Sequence, residues 1–232
     1  MPDIKIINSE LLRMKELANA DISGFCVGCV LEDIFGRFYY GSNSEYEDRR
    51  AGLCAESAAI ADMSSKVGAT MIKNIYLSGA SKKNPDEKTP VLPCGLCRQR
   101  LAEICDENTN LFSLNSNGDI LKQCKFFDLY PFPFTLGNSA EFLKFITSKR
   151  ENNAIEKYQT IEEKLHILYD LSFPVSGKRE ACIIELSDGN LITGNYFGTS
   201  CYKADIDAKT AAYSKIAQKN LWAGIKHIHF LG

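Results

Sequence analysis

The sequence predicts an α/β fold in three α-β-α layers around a mixed sheet, present once complete and once truncated. Two observations carry this. Apolar, β-rich runs alternate with helical segments over the first half of the chain. The chain also matches itself without a gap when slid by 153 positions, which sets Gly194 on Gly41. A period of that size exceeds the roughly 20–50 residues of a solenoid repeat, so it marks two copies of one domain.

Taken in order, Asn8 and Ser9 are expected to cap a helix running through Leu11, Leu12, Met14, Leu17 and Ala18. Gly24–Leu31 and Arg37–Tyr40 read as the strands of a hairpin that turns near Gly36. Cys54–Val67 reads as a helix, Met71–Leu77 as a strand and the Pro-containing Ser81–Pro93 as a loop. Leu96–Ile104 is expected to be a core helix, with short strands at Leu111–Leu114 and Ile120–Cys124. Ser139–Thr147 reads as helical, and the charged Ser148–Tyr158 as a linker. The expected division is therefore a complete unit over 1–147, a linker over 148–158 and a second unit over 159–232.

The repeat supports that division. Ser23–Gly79 aligns with Ser176–Gly232: Cys29 meets Cys182, Glu32 meets Glu185, Gly36 meets Gly189 and Ile72-Lys73-Asn74-Ile75 meets Ile225-Lys226-His227-Ile228. The copies part at a few polar positions. Asp207 stands opposite Cys54, Lys209 opposite Glu56, Tyr196 opposite Asn43 and Gly198 opposite Glu45.

Composition narrows the function. With 45% apolar and 24% charged residues, the 232-residue chain can bury an ordinary core. Its net charge of −2, with Lys and Arg scattered, argues against tracking a phosphate backbone. No apolar run reaches the roughly 20 residues of a membrane span, and Met1–Glu10 lacks the apolar core of a secretory signal. The nine cysteines are accordingly expected to be cytoplasmic thiols and metal ligands rather than disulfides.

Cys54-Ala55-Glu56 and Pro93-Cys94-Gly95-Leu96-Cys97 each open a helix. Cys94 and Cys97 are one turn apart, so both sulfurs can reach one tetrahedral Zn²⁺, with Cys54 as third ligand. The fourth position is then open for water, which distinguishes a catalytic from a structural zinc site. Glu56, two residues past a ligand, is placed to carry protons between that water and a substrate nitrogen. Cys26 and Cys29 lie three apart on a strand and face opposite ways, so they read as packing. Cys105, Cys124, Cys182 and Cys201 read likewise, and His227 and His229 as a surface or interface pair.

On these residues the sequence resembles the cytidine deaminase family over about Ser23–Phe134. Ser23-Gly24-Phe25-Cys26-Val27-Gly28 is similar to the family's S-x-F-x-V-G strand, and Gly41-Ser42-Asn43-Ser44-Glu45 to its G-x-N-x-E turn. Pro93-Cys94-Gly95-Leu96-Cys97-Arg98-Gln99 matches P-C-G-x-C-R-Q, and Leu129–Phe134 resembles L-L-P-x-x-F. The resemblance implies one Zn²⁺ per chain on Cys54, Cys94 and Cys97, with Glu56 catalytic. It implies substrate contacts from Phe25 to the pyrimidine, from Asn43 and Glu45 to the ribose, and from Ala55. Phe134 would reach a neighbouring subunit's site. The implied reaction is hydrolytic deamination of cytidine and 2′-deoxycytidine: zinc-bound hydroxide attacks C4 while Glu56 shuttles protons, in pyrimidine salvage. The second copy resembles the degenerate domain of two-domain, dimeric members, so a homodimer is expected, with no nucleic-acid or membrane partner.

One position departs from the pattern. Relatives with a Cys first ligand carry Arg directly after the Glu, where this chain has Ser57. Three thiolates leave bound Zn²⁺ with one net negative charge, and Arg98, Arg49 and Arg50 are the candidate cations, the choice among them open. A blasticidin-like aminopyrimidine nucleoside deaminase is the alternative enzyme. A polynucleotide deaminase and an inactive scaffold are the alternatives from other classes.

Overall fold

The structure is a computed structural model that describes residues 3–48, 51–85, 88–136, 157–175 and 177–232. It is an α/β fold with a mixed five-stranded sheet and a second, partial copy. In chain order the first copy runs α1 (Ile4–Glu16), β1 (Phe25–Asp33), β2 (Phe38–Ser42), α2 (Ala55–Val67), β3 (Ile72–Ser81), α3 (Gly95–Ala102), β4 (Cys105–Leu114), β5 (Ile120–Lys125) and α4 (Phe126–Leu129). The second runs α5 (Ile161–Leu171), β6 (Ala181–Leu186), β7 (Leu191–Asn195), α6 (Ala208–Gln218) and β8 (Ile225–Leu231).

The first sheet has the order β2-β1-β3-β4-β5, with β3 and β4 parallel and every other pair antiparallel. Strand periodicity sorts its faces. Val30 and Tyr76 join Ile7 and Leu11 of α1 on one side, while Cys29, Leu31, Ile75 and Leu77 meet Ala59, Ile60 and Met63 of α2 and Leu101 of α3 on the other. Three layers result.

The second sheet, β7-β6-β8, repeats the order β2-β1-β3. Ala181 and Ile183 face Leu168 of α5, while Cys182 and Ile184 face Ala208, Ala212 and Ile216 of α6. The equivalence reaches single atoms at Gly41 and Gly194. A Cβ at Gly41 would lie 2.9 Å from the carbonyl carbon of Ala58 and closer still to the Ala55 oxygen and Ala59 nitrogen. A Cβ at Gly194 would lie 2.6 Å from the Ala212 nitrogen and closer still to the Ala208 oxygen. In each copy the first helix turn is laid directly on a strand, which only Gly permits. The core is shared as well, since Phe173, Phe197, Ile206 and Ala211 join the cluster around α2.

Some boundaries differ from expectation. α1 starts at Ile4, not beyond Ser9, because the Asp3 carboxylate caps it by accepting from the Lys5 N–H (2.9 Å). Ile4 and Ile7 extend the apolar face one turn back, and Asn8 instead donates to the Ser116 carbonyl (3.2 Å). β4 begins at Cys105 rather than Leu111, its polar half held along β3, where the Thr109 hydroxyl donates to the Ile72 carbonyl (2.7 Å). The helix expected over 139–147 lies outside the described residues, as does nearly all of the linker expected over 148–158.

Candidate active site

The site forms where two helices begin. Cys54 is the N-cap of α2 and Cys94 the N-cap of α3, each extended (ψ 160° and 167°), and neither thiol caps its own helix. Both are therefore free to turn toward each other. Cys97, in the first turn of α3, completes the group from a fully buried position. The three sulfurs lie within 4.8 Å of one another, with Cys54 and Cys94 3.8 Å apart. A tetrahedral zinc with Zn–S of about 2.3 Å sets its sulfurs about 3.8 Å from each other, so the donors fit this metal in type and spacing. Among the described residues no fourth His, Cys or carboxylate joins the group.

The thiols differ in acidity. The Cys54 and Cys94 sulfurs lie at hydrogen-bonding distance (3.8 Å), and that contact, with Cys97 and the backbone N–H groups of Cys97 and Leu96, holds Cys94 below the ordinary cysteine range. Hydrogen bonding among the thiols pushes Cys54 (from Cys94) and Cys97 (from Cys54, then Cys94) the other way, and burial adds to both. Two converging helix N-termini supply the positive end of their dipoles here.

Glu56 sits in the first turn of α2 with 4% of its surface exposed. Burial raises its carboxyl to about 7, Cys94 adds to the rise, and its own backbone N–H opposes it. A carboxyl poised near neutrality can both accept and return a proton. In the second copy, Asp207 simply caps α6, accepting from the Thr210 N–H (2.9 Å), and the Lys209 ammonium lies over the Phe230 ring (4.5 Å).

A cavity of about 350 Å³ opens beside Cys54, lined by Ser23, Asn43, Glu45, Tyr46 and Leu53 among others. Asn43 and Glu45 are held rigidly. The Asn43 amide accepts from the Val27 N–H (2.8 Å) and donates to the Phe25 carbonyl (2.9 Å). The Glu45 carboxylate accepts from the Ser23 N–H (2.8 Å) and hydroxyl (2.6 Å). Each retains capacity, the amide a second hydrogen and the carboxylate further lone pairs. Ala55 is fully buried. Neither Phe25 nor Phe134 lines this cavity. Phe25 packs beside Gly79, while Phe134 is 58% exposed, its carbonyl accepting from Gln99 (2.7 Å).

Of the candidate cations, Arg98 turns away, donating to the carbonyls of Pro93 (2.8 Å) and Leu129 (3.0 Å). Arg49 and Arg50 lie outside the described residues. The guanidinium beside the thiols is that of Arg100, which the sequence reading missed. It is 5% exposed and donates to the Ser57 hydroxyl (2.6 Å), whose oxygen is 3.4 Å from the Cys97 sulfur. Its spacing of one helical turn from Cys97 was the available signal.

A mixed-sheet α/β fold with three thiols at paired helix N-termini and a buried Glu two residues past one of them defines a zinc-binding enzyme of the deaminase class. The sequence model "Cytidine and deoxycytidylate deaminase zinc-binding region" matches residues 4–112. The chain is 31% identical to a cytidine deaminase of Mycoplasma pneumoniae over 116 residues, covering 50% of this chain and 82% of that one. It is 30% identical to a cytidine deaminase of Halalkalibacterium halodurans over 133 residues, 57% of this chain and 95% of that one. A crystal structure of cytidine deaminase from Burkholderia pseudomallei superposes with a TM-score of 0.49 at 25% identity, over 56% of this chain and 98% of that one. The chain belongs to the cytidine deaminase family.

Proposed function

We propose that this protein hydrolyses cytidine and 2′-deoxycytidine to the corresponding uridines and ammonia. The observation that carries the reading is Glu56, buried next to three convergent thiols with its carboxyl raised to about 7. Cys54, Cys94 and Cys97 would hold Zn²⁺, which when bound supplies a nucleophilic water ionised near neutral pH. Glu56 takes the proton released by that water and places it on N3, which makes C4 electrophilic. As the water oxygen adds to C4, Glu56 would carry the water's second proton to the exocyclic nitrogen, so that C4=O forms, the C4–N bond breaks and ammonia leaves. Asn43 and Glu45, fixed by the backbone of residues 22–27, present their remaining donor and acceptors to a ribose. By the family pattern Phe25 and Ala55, which lie outside the lining of the cavity beside Cys54, would contact the base, and the exposed Phe134 ring would serve a neighbouring subunit.

In this reading residues 1–147 are the catalytic unit and 159–232 a unit without a metal site. The assembly is a homodimer acting in pyrimidine salvage in the cytoplasm. Among the described residues no helix is long and apolar enough to cross a membrane. The test is the loss of cytidine absorbance with the zinc-assayed protein, beside 2′-deoxycytidine, cytosine and CMP, and with Glu56→Ala in parallel. Conversion of the two nucleosides alone, abolished in a variant that retains its zinc, is the expected result. Zinc without conversion of either nucleoside would sink the proposal.

A further inference from the structure

Arg100 is a buried guanidinium with no carboxylate hydrogen-bonded to it among the described residues. Its Nη1 donates to the Ser57 hydroxyl (2.6 Å), its Nη2 to the Asp205 carbonyl (3.1 Å) and its Nε to the Ala204 carbonyl. All three acceptors are neutral. A buried cation is expensive unless a counter-charge lies close, and the nearby groups able to bear negative charge are the three cysteines, Glu56 and, most weakly, Asp205. Burial pulls the Arg100 pKa down, and the charges of Cys97, Cys54 and Cys94, in that order, pull it back, with Asp205 adding the least.

The need on the other side is equally definite. Three thiolates around one Zn²⁺ carry one net negative charge. A fixed cation hydrogen-bonded to Ser57, whose oxygen is 3.4 Å from the Cys97 sulfur, stabilises that charge. We infer that Arg100 is the charge-compensating positioning residue of the zinc site, acting through the Ser57 hydroxyl and held in place by the second copy. The carbonyls that hold it, Ala204 and Asp205, belong to that copy, where the Asp205 carboxylate accepts from the Thr199 N–H (2.7 Å) and from the Tyr196 hydroxyl. The copy that has lost its own metal ligands thus shapes the charge environment of the copy that kept them.

This inference rests on the zinc reading above, and the test separates the two. Zinc-loaded wild type, Arg100→Gln, Arg100→Lys and Ser57→Ala are titrated at pH 7 with a chromogenic zinc chelator, and their folds are compared by circular dichroism melts. Arg100→Gln should bind zinc about ten-fold more weakly, the effect of one charge contact. Arg100→Lys should recover most of that loss, and Ser57→Ala should fall between. Asp205→Ala, which removes the carboxylate that anchors this loop to Thr199 and Tyr196, should weaken zinc in the same direction by loosening the two carbonyls. A wild type that holds no zinc overturns the zinc reading itself. Zinc held equally by wild type, Arg100→Gln and Ser57→Ala, with only the melting temperature changed, overturns this inference alone, for Arg100 would then be a tie between copies. Should Arg100→Gln fail to fold, Ser57→Ala decides, since its wild-type affinity would equally refute the relay.

Discussion

Gly41→Ala and Gly194→Ala make the same change at equivalent positions of the two copies, and the structure assigns them different consequences. At Gly41 the new methyl would sit 2.9 Å from the carbonyl carbon of Ala58 and nearer still to two backbone atoms of α2. At Gly194 it would sit 2.6 Å from the Ala212 nitrogen, with the Ala208 oxygen nearer. Ordinary carbon contacts lie near 3.5–4.0 Å, so the first turn of either helix must retreat by about 1 Å. Overpacking that cannot be relieved by rotating a side chain costs about 3 kcal/mol. For a chain of this size that is a fall of about 6–12 °C in melting temperature. Both variants should show a fall of this kind. Gly41→Ala moves the turn that carries Cys54 and Glu56, so it should lose zinc and most of its turnover, whereas Gly194→Ala, which reaches the site only through Arg100, should weaken zinc by no more than about ten-fold. The assay is a paired melt, zinc count and kcat. A Gly41→Ala protein with wild-type zinc content and kcat would show that β2 does not brace the site. A Gly194→Ala protein that loses zinc first would show that the copies are not packed as argued.

Glu56→Gln should keep zinc while kcat falls by about 10²–10⁴-fold, the usual loss for a general acid–base residue, read from the steady-state rate on cytidine. Cys97→Ala removes the fully buried sulfur and should abolish stoichiometric zinc binding, measured by metal analysis after gel filtration. Lys215 gives a pH signature. Burial lowers its folded pKa from 10.5 to about 8, although the Nζ donates to the Thr193 carbonyl (2.9 Å) and the Ser65 hydroxyl. Between pH 8 and 10.5 the unfolded chain holds more protons, so stability rises with pH across that window, and below it the cost is felt in full. The side chain is half-buried, so the gain is about 1–3 kcal/mol, and Lys215→Met should flatten the pH dependence of the denaturant midpoint above pH 8. An unchanged slope would refute it.

The convergence of Cys54, Cys94 and Cys97 and the burial of Glu56 in the helix turn that follows Cys54 were legible in the sequence because zinc chemistry would fix their spacing. Two cysteines one turn apart and a carboxylate two residues past a third need no tertiary information. The repeat was legible through Gly36 and Gly41, whose partners Gly189 and Gly194 keep the same turn and the same close approach. What lay beyond the sequence depends on distant partners. β4 is polar from Asp106 to Asn110, and pairing along β3, with Asn110 also set against Lys125 of β5, makes that stretch a strand. α5 packs on β6 as α1 packs on β1, yet the aligned repeat began only at Ser176, since two helices can keep an apolar face without keeping residues. Arg100 was hidden for the same reason. Nothing within a few residues of it shows that Ala204 and Asp205 will accept two of its protons.

Those two carbonyls explain what a copy without metal ligands still has to preserve. It differs from the first copy at Asp207, Lys209, Tyr196 and Gly198, which stand opposite Cys54, Glu56, Asn43 and Glu45. Its retained features are the Gly194 contact and the residues packed into the core around α2, Phe173, Phe197, Ile206 and Ala211. Substitutions that removed this packing would expose α2 and unseat Arg100 together, whereas those that removed a second metal site would disturb neither. On the Arg100 proposal, the features the second copy shares with the first are those that brace the first copy's thiols, and the electrostatic environment of those thiols extends into the second copy through Ala204 and Asp205.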